Sequence, residues 1–97
     1  MQSGHAVGVG AGVAIAANGR LGLFYGVQTL RQIADASSAR SLPGVRIRDW
    51  PTQKLRGIHV DMKYLFHKPS YLESYVKRMA SLKLNAVLLE YEDKFPF

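Results

Sequence analysis

Three carboxylates lie close together near the end of the sequence, where Glu90, Glu92 and Asp93 follow the apolar run LNAVLL. An ionised carboxylate accepts hydrogen bonds more strongly than a neutral group does, which suits a ligand with several hydroxyl groups. The same side chains can instead form ion pairs with Lys63 or Lys94. The residues themselves leave both roles open for all three carboxylates.

A second set of polar residues closes an earlier apolar segment. Ile58 and Val60 alternate with His59 and Asp61, and this period of two predicts a strand with the apolar pair on one face. We predict that His59 is a hydrogen-bonded histidine of the core rather than a general base. Asp61 and Lys63 end the strand, and the sequence does not decide between ligand binding and a structural ion pair.

The elements that must position these residues form a strand–helix–strand unit. Residues 55–62 and 84–92 are the predicted strands, and the second is apolar almost throughout, as in a parallel sheet covered on both faces. Between them, apolar residues at helical spacing predict a helix that ends near Lys83. Ser70 and Glu73 have the spacing of a capping box at its first turn. The strands are expected to be parallel, with a right-handed crossover.

The first half of the sequence predicts short strands and one helix instead. A strand is expected around Val13 and Ile15, a weaker one over residues 5–9, and another over residues 45–49. Pro51 cannot extend a central strand, so the boundary between the two halves is placed at residues 49–53.

The predicted helix of the first half covers residues 22–36. Its apolar stripe consists of Leu23, Phe24, Val27, Leu30 and Ile33.

Three glycines precede this helix with the spacing G-x-G-x-G. They are Gly8, Gly10 and Gly12. The spacing differs from the G-x-G-x-x-G of a dinucleotide-binding loop, and no strong strand precedes it. A glycine-rich turn or sheet edge is therefore the prediction.

The composition argues against several classes of function. The 97 residues contain no cysteine, which excludes thiolate metal sites and disulfides; neither a metal nor a cofactor is predicted. The net charge is +6, but no three cations are consecutive, which favours solvated surface charge over a nucleic-acid site. No stretch approaches the roughly 18 apolar residues of a membrane-spanning helix, so no membrane partner is expected.

Three segments, taken in order, resemble the β-N-acetylhexosaminidases of glycoside hydrolase family 20. They are LGLFYGVQTLRQI, the D-x-P of residues 49–51, and LRGIHVD; a fourth, MASLKLNAV, is similar to the segment before the family's second barrel strand. The resemblance implies an α/β chain in two parts. Residues 1–50 are expected to end a small α+β domain of strands plus one helix, and residues 51–97 to form the first β-α-β of a truncated TIM (β/α)8 barrel. A whole barrel needs roughly 250 residues.

The resemblance also implies an activity, namely removal of terminal β-linked N-acetylhexosamine from a glycan. In the family the substrate's own acetamido oxygen attacks the anomeric carbon, with retention of configuration. An adjacent Asp-Glu pair on the fourth barrel strand assists, so no catalytic residue is expected in this chain. We expect the 97 residues alone to be an inactive fragment, which self-associates through exposed strand edges.

Barrel enzymes place their sites at the carboxyl ends of the strands, and this rule selects the substrate-binding candidates. They are Asp61, Lys63, Glu90, Glu92 and Asp93. The resemblance places Asp93 at the family's hydroxyl-binding aspartate. Tyr64 stands where most members have a sugar-binding arginine, and Lys63 supplies a cation one residue earlier. The segments DMKY and EYEDKFP together resemble the hexosaminidase D branch, which prefers galactosaminides. Arg56 opens the first strand and is expected to be structural, paired with a carboxylate.

Glu92 and Asp93 are unsuited to act as acid and nucleophile themselves. Such a pair must flank the scissile bond, about 5 Å or more apart, whereas adjacent residues at a strand end point to opposite faces. Two alternatives remain. The chain can belong to another glycosidase family with a similar leading domain, such as family 84, or it can be a non-catalytic binding or assembly module.

Overall fold

The computed structural model describes residues 3–37, 41–63 and 67–92. The chain divides into two compact units, Met1–Thr52 and Gln53–Phe97, which are called unit 1 and unit 2 below. Over the described ranges, neither helix is long and apolar enough to cross a membrane.

Unit 1 is a three-stranded antiparallel sheet with one helix packed on it. Its strands are β1 (His5–Val9), β2 (Val13–Ala17) and β3 (Val45–Asp49), and β1 lies between the other two. Helix α1 (Arg20–Ala36) contacts β1 and β2. All three predicted strands are confirmed, and the helix begins two residues earlier than predicted.

The glycines before α1 belong to this sheet. Gly8 lies within β1, and Gly10 and Gly12 lie in the tight turn to β2, where the N–H of Gly10 donates to the carbonyl of Gly12 at 2.9 Å. The prediction of a glycine-rich turn is confirmed.

The face of α1 that packs on the sheet is not the predicted apolar stripe. The buried residues of the helix are Gly22, Tyr25, Gly26, Gln28 and Thr29. Leu23, Phe24 and Val27 of the predicted stripe are instead between 43% and 51% exposed. Close approach explains the difference, because a Cβ atom on Gly26 would lie only 2.5 Å from Cγ2 of Ile15. Small residues set the orientation of this helix, and of its apolar stripe only Leu30 and Ile33 are partly buried.

The helix–sheet interface of unit 1 contains a buried polar contact. Nε2 of His5 and Oγ1 of Thr29 are 3.0 Å apart, which joins β1 to α1. Val7, the next residue of β1 on the same face, is 1% exposed. The interior of unit 1 therefore combines apolar packing with a hydrogen-bonded polar pair.

Unit 2 is a strand–helix–strand unit, as predicted. It consists of β4 (Gly57–Asp61), α2 (Pro69–Ser81) and β5 (Ala86–Glu90), with β4 and β5 parallel. The register pairs Gly57 with Ala86 at one end and Asp61 with Glu90 at the other. Alternation in β4 is also confirmed: Ile58 and Val60 are partly buried, and the other three residues of the strand are exposed.

The predicted capping box of α2 is wrong. The helix begins at Pro69 with Lys68 as its N-cap, and no side chain caps it. Proline suits the first helical position because its φ is already helical and its missing N–H has no partner there. Ser70 lies inside the first turn as a result, and its carbonyl accepts a hydrogen bond from Oγ of Ser74 at 3.0 Å.

Candidate functional site

Four of the five predicted site residues lie together at one edge of unit 2. Because β4 and β5 are parallel, their carboxyl ends meet at the same edge, where Asp61 pairs with Glu90. The backbone N–H of Met62 also donates to the carbonyl of Glu90 at 2.8 Å. This edge carries four of the predicted site residues, which we call the carboxyl-edge cluster: Asp61, Lys63, Glu90 and Glu92.

An ion pair joins the two loops that leave these strands. Nζ of Lys63 lies 2.8 Å from Oε1 of Glu92, and both side chains are about 40% exposed. The hydrogen bond to Glu92, together with the attraction of its charge, raises the pKa of Lys63 above the ordinary value of 10.5. Asp61 and Glu90 act in the same direction, and desolvation opposes them. Lys63 is therefore a firmly protonated cation with three carboxylates around it.

Local backbone geometry holds both partners of this pair. Oδ1 of Asp61 accepts the backbone N–H of Lys63 at 2.8 Å, which orders the chain as it leaves β4. Glu92 has a φ of 44°, in the left-handed region that side-chain-bearing residues seldom adopt. The structure contains the ion pair that the sequence allowed for Lys63 and Glu92, and this pair leaves both side chains about 40% exposed.

His59 does not lie in a core. Its side chain is 49% exposed, and its Nε2 lies 2.7 Å from Oε2 of Glu90. The prediction of a buried histidine was wrong because the face of β4 that carries His59 is exposed. The contact with Glu90 was missed altogether. Its only sequence signal was the spacing of Glu90 in the parallel strand, which places it two residues beyond Leu88, the residue opposite His59.

Several residues named from the sequence lie outside the described ranges. Asp93, the preferred hydroxyl-binding candidate, is one of them, and Tyr64 is another. Within residues 3–37, 41–63 and 67–92, no three His, Asp or Glu side chains are placed to hold a metal ion. The chemistry of the described cluster is therefore that of hydrogen bonding and charge.

The opposite edge of the parallel pair is held by a backbone network around Arg56. Its Nε donates to the carbonyl of Lys83 at 2.9 Å, and one terminal nitrogen donates to the carbonyl of Gln53. Oδ1 of Asn85 accepts the N–H of Arg56 at 2.8 Å, and its Nδ2 donates to the carbonyl of Lys54 at 2.7 Å. Arg56 is structural, as predicted, but these partners are backbone carbonyls where a carboxylate was expected.

Close packing of the two strands explains why a glycine, Gly57, follows Arg56. A Cβ atom there would lie 2.8 Å from the carbonyl oxygen of Ala86 and 3.0 Å from its Cβ. The two strands therefore approach too closely for any side chain at this position. The segments LRG and KLN, which stand 25 residues apart, thus lock the amino ends of β4 and β5 together.

The carboxyl-edge cluster offers both a hydrogen-bond donor and several acceptors on a partly exposed surface. A sugar hydroxyl group can donate and accept at once, so such a mixed set suits a polyol. The Lys63–Glu92 ion pair and the His59–Glu90 contact hold Lys63 and Glu90 in place without burying them. The arrangement can bind and orient a hydroxylated ligand, and the described residues include no obvious acid–nucleophile pair.

Comparison with known proteins gives a consistent result for both units. Residues 2–50 match the sequence profile described as Glycosyl hydrolase family 20, domain 2. The chain is 34% identical over 84 residues to an N,N'-diacetylchitobiase from Vibrio harveyi, covering 87% of this chain and 10% of that protein. It is 36% identical over 84 residues to a beta-hexosaminidase from Akkermansia muciniphila, covering 84% of this chain and 17% of that protein.

Solved structures show the same similarity. A crystal structure of a beta-N-acetylhexosaminidase has a TM-score of 0.87 and 32% identity, covering 96% of this chain and 20% of that one. A glycoside hydrolase family 20 beta-N-acetylglucosaminidase has a TM-score of 0.79 and 38% identity, covering 90% of this chain and 18% of that one. The chain thus spans only a small part of the length of these relatives.

Proposed function

Because the chain belongs to glycosyl hydrolase family 20, we propose that it contributes to removal of terminal β-linked N-acetylhexosamine from glycans. The names of the relatives support this proposal, since they are hexosaminidases and a chitobiase. The family membership also replaces the alternative of a different glycosidase family. The ligand that we propose for the carboxyl-edge cluster is therefore an N-acetylhexosamine at the end of a glycan.

The domain assignment proposed for the chain follows the same relationship. Residues 1–50 are the end of the small α+β domain, and residues 51–97 are the first strand, helix and strand of a (β/α)8 barrel. The parallel pairing of β4 with β5 supports this, because parallel strands joined through a helix are the repeating unit of such a barrel. A complete barrel needs roughly 250 residues, so further strands from elsewhere are required.

The observation that carries the proposal is the position of the carboxyl-edge cluster. Barrel enzymes assemble their sites from the residues that follow the carboxyl ends of the strands. The Lys63–Glu92 pair and Asp61 lie at that edge, while the Arg56 network lies at the edge that serves stability. We propose that Asp61, Lys63, Glu90 and Glu92, with Asp93, hold the hydroxyl groups of the terminal sugar.

The mechanism proposed for the whole enzyme is substrate-assisted and retaining. The acetamido oxygen of the sugar attacks the anomeric carbon and takes the place of an enzymic nucleophile, as in the family. An adjacent Asp-Glu pair would orient that group and protonate the leaving oxygen, and no Asp-Glu dipeptide occurs in this sequence. The role of these residues is then to position the sugar, and the 97 residues alone are proposed to lack hydrolase activity.

Lys63 supports a finer assignment, to the hexosaminidase D branch. The usual sugar-binding arginine is replaced by Tyr64, which cannot supply a positive charge. Lys63 provides a cation one residue earlier, and Glu92 holds it at the edge of the strands. Because a lysine ammonium is a point charge without the fixed fork of arginine, we propose that it tolerates a different hydroxyl orientation on the sugar.

Two measurements on the purified chain test this proposal. First, incubation with p-nitrophenyl N-acetyl-β-glucosaminide and with the galactosaminide should release no p-nitrophenol. Second, titration with N-acetylgalactosamine should shift the amide NMR signals of Lys63 and Glu92 at millimolar sugar. Lys63→Met should abolish these shifts, and Lys77→Met, at an exposed position of α2, is the matched control.

Each measurement has a contrary outcome. Release of p-nitrophenol would show that the catalytic groups are within the chain. Unchanged signals at the carboxyl edge with both sugars, in a chain whose circular dichroism is native, would remove the sugar-binding role from the cluster.

A further inference from the structure

Unit 1 has two surface hollows whose lining residues are far in sequence from the carboxyl-edge cluster. One has a volume of about 300 Å³ and is lined by residues that include Ala6, Ala16, Arg48 and Trp50. The other has a volume of about 450 Å³ and is lined by residues that include Gly8, Ala14 and Arg46. Each hollow is therefore lined by one arginine and by several small residues.

Each hollow is lined in part by the face of the sheet that α1 leaves open, and in part by residues at the ends of the strands. Gly26 of α1 approaches Ile15 and His5, so these two residues face the helix. Alternation along the strands then places their neighbours on the opposite face. Gly8 confirms this placement, because a Cβ atom built on it meets nothing within 4 Å.

The strand register arranges this open face in two rows. Arg48 pairs with Ala6, which pairs with Ala16; Arg46 pairs with Gly8, which pairs with Ala14. We call these six residues the arginine-flanked face. Residues two apart on a strand are about 7 Å apart, and strands are about 4.8 Å apart. The Cα atoms of Arg46 and Arg48 are thus about 7 Å apart, beside small residues of the two neighbouring strands.

The charges around this face favour an anionic ligand. Residues 1–52 contain five arginines, no lysine and no glutamate, against two aspartates. Arg46 and Arg48 are both exposed. Asp49 also lines the first hollow, but its Oδ1 already accepts the backbone N–H of Trp50 at 2.9 Å. A guanidinium group binds a carboxylate or sulfate through two parallel hydrogen bonds.

Trp50 adds a feature that points to a carbohydrate. Its side chain is 49% exposed and lines the first hollow beside Arg48. A large exposed aromatic surface beside charged groups suits a ligand with an apolar ring face and polar edges, which a sugar ring has. Nucleic acid fits less well, because the sequence contains no run of three cations and a single aromatic residue lines the described hollows.

We propose that the arginine-flanked face, together with Trp50, binds an acidic glycan. Arg46 and Arg48 each hold one carboxylate or sulfate group of the chain, and Trp50 stacks on one of its sugar rings. The glycan lies across the small residues of β1 and β2, whose lack of bulk leaves room for it. This site lies within unit 1 and involves no hydrolysis, so it does not depend on the function proposed for unit 2.

The single tryptophan of the sequence provides the measurement. Titration of the chain with a chondroitin sulfate hexasaccharide should change the fluorescence of Trp50 in a saturable way. Arg46→Ala with Arg48→Ala should weaken binding at least tenfold. The matched control is Arg20→Ala with Arg31→Ala, which removes the same charge from exposed positions of α1 and should weaken binding less than twofold. Unsulfated chondroitin distinguishes carboxylate from sulfate recognition.

A second variant makes the test independent of the arginines. Gly8→Glu places a carboxylate in the open space above β1, and it should abolish binding while the circular dichroism stays native. Equal losses in the two double variants, or equally tight binding of a DNA duplex, would reduce the effect to general attraction between opposite charges and overturn the proposal. Binding of a neutral chitin hexasaccharide that the arginine variants leave unchanged would overturn it as well.

Discussion

Unit 1 and unit 2 both pair a sheet with a helix, yet they bury their side chains very differently. In unit 1, a helix lies across the antiparallel sheet, and five of its residues are buried. In unit 2, Met79 is the only buried residue of α2. Large apolar side chains of unit 2, among them Leu55, Leu82 and Leu88, are 76%, 58% and 62% exposed.

The difference follows from the two kinds of sheet. An antiparallel sheet is stable with one face packed and the other exposed to solvent, whereas a parallel sheet is normally covered on both faces. In unit 2 each of the two strands pairs with only one described neighbour. Its apolar side chains therefore need cover beyond that supplied by the described residues. Self-association of the chain through these strands stays a prediction on this ground.

Each unit has one glycine at which an added Cβ would lie within 3 Å of another residue, and substitution of these two glycines compares the units directly. The largest effect is expected for Gly57→Ala in unit 2. The new Cβ would lie 2.8 Å from a backbone oxygen of β5, and a paired strand cannot move away without losing its hydrogen bonds. We expect a loss of about 3 kcal/mol in the free energy of unfolding, measured by urea denaturation with circular dichroism.

Amide hydrogen exchange locates that loss. The amides of Val60 and Leu89 in the parallel pair should exchange faster in Gly57→Ala, while that of Val7 in unit 1 keeps its protection. Unchanged protection of both strands would show that the contact between Gly57 and Ala86 is not limiting.

A smaller effect is expected for Gly26→Ala in unit 1. Here the closest atom is Cγ2 of Ile15, a side-chain atom that can shift by rotation. The clash costs about 1–3 kcal/mol, and the gain in helix propensity offsets about 0.5–1 kcal/mol of it. We therefore expect a net loss of about 1 kcal/mol in the same denaturation experiment. Gly8→Ala, where the Cβ meets open space, is the control and should change stability by less than about 0.5 kcal/mol.

The smallest effect is expected at the exposed Lys63–Glu92 pair. Because Glu92 raises the pKa of Lys63 in the folded chain, the pair stabilises the fold below the ordinary pKa of 10.5. That contribution is lost as the pH rises through the higher pKa of the folded state. Glu92→Gln should lower the pKa of Lys63 toward its ordinary value, as followed by NMR of the side-chain ammonium. Glu73→Gln on α2 should leave the pKa of Lys63 unchanged. An equal change in both variants would contradict the role of Glu92 as the partner that raises this pKa.

Much of the fold could be predicted because its periodicities are local. Alternation in residues 57–61 and helical spacing in residues 69–81 identify the strand and the helix that the structure contains. The apolar character of residues 84–89 predicted a parallel partner, which is the observed pairing. The first turn of α2 was mispredicted because two helix-start signals, Pro69 and the Ser70–Glu73 pair, lie one residue apart. Neither signal is stronger than the other in the sequence, so the sequence did not decide between them.

The site was predicted in part, for a related reason. The rule that polar residues at the carboxyl ends of parallel strands gather at one edge brought together Asp61, Lys63, Glu90 and Glu92. It did not show which side chains pair. The contact of His59 with Glu90 and that of Lys63 with Glu92 depend on the register of β4 against β5 and on the left-handed backbone of Glu92.

By itself, the sequence determined the elements, the parallel pairing and the family, since these rest on residue type and spacing along the chain. The tertiary structure alone decided which face of α1 is buried, because that depends on the space beside Ile15 and not on hydrophobicity. It likewise decided that Glu90 contacts a histidine and Glu92 a lysine, since strand register sets which side chains meet. Both decisions concern distances between residues far apart in the chain, and no local pattern encodes those distances.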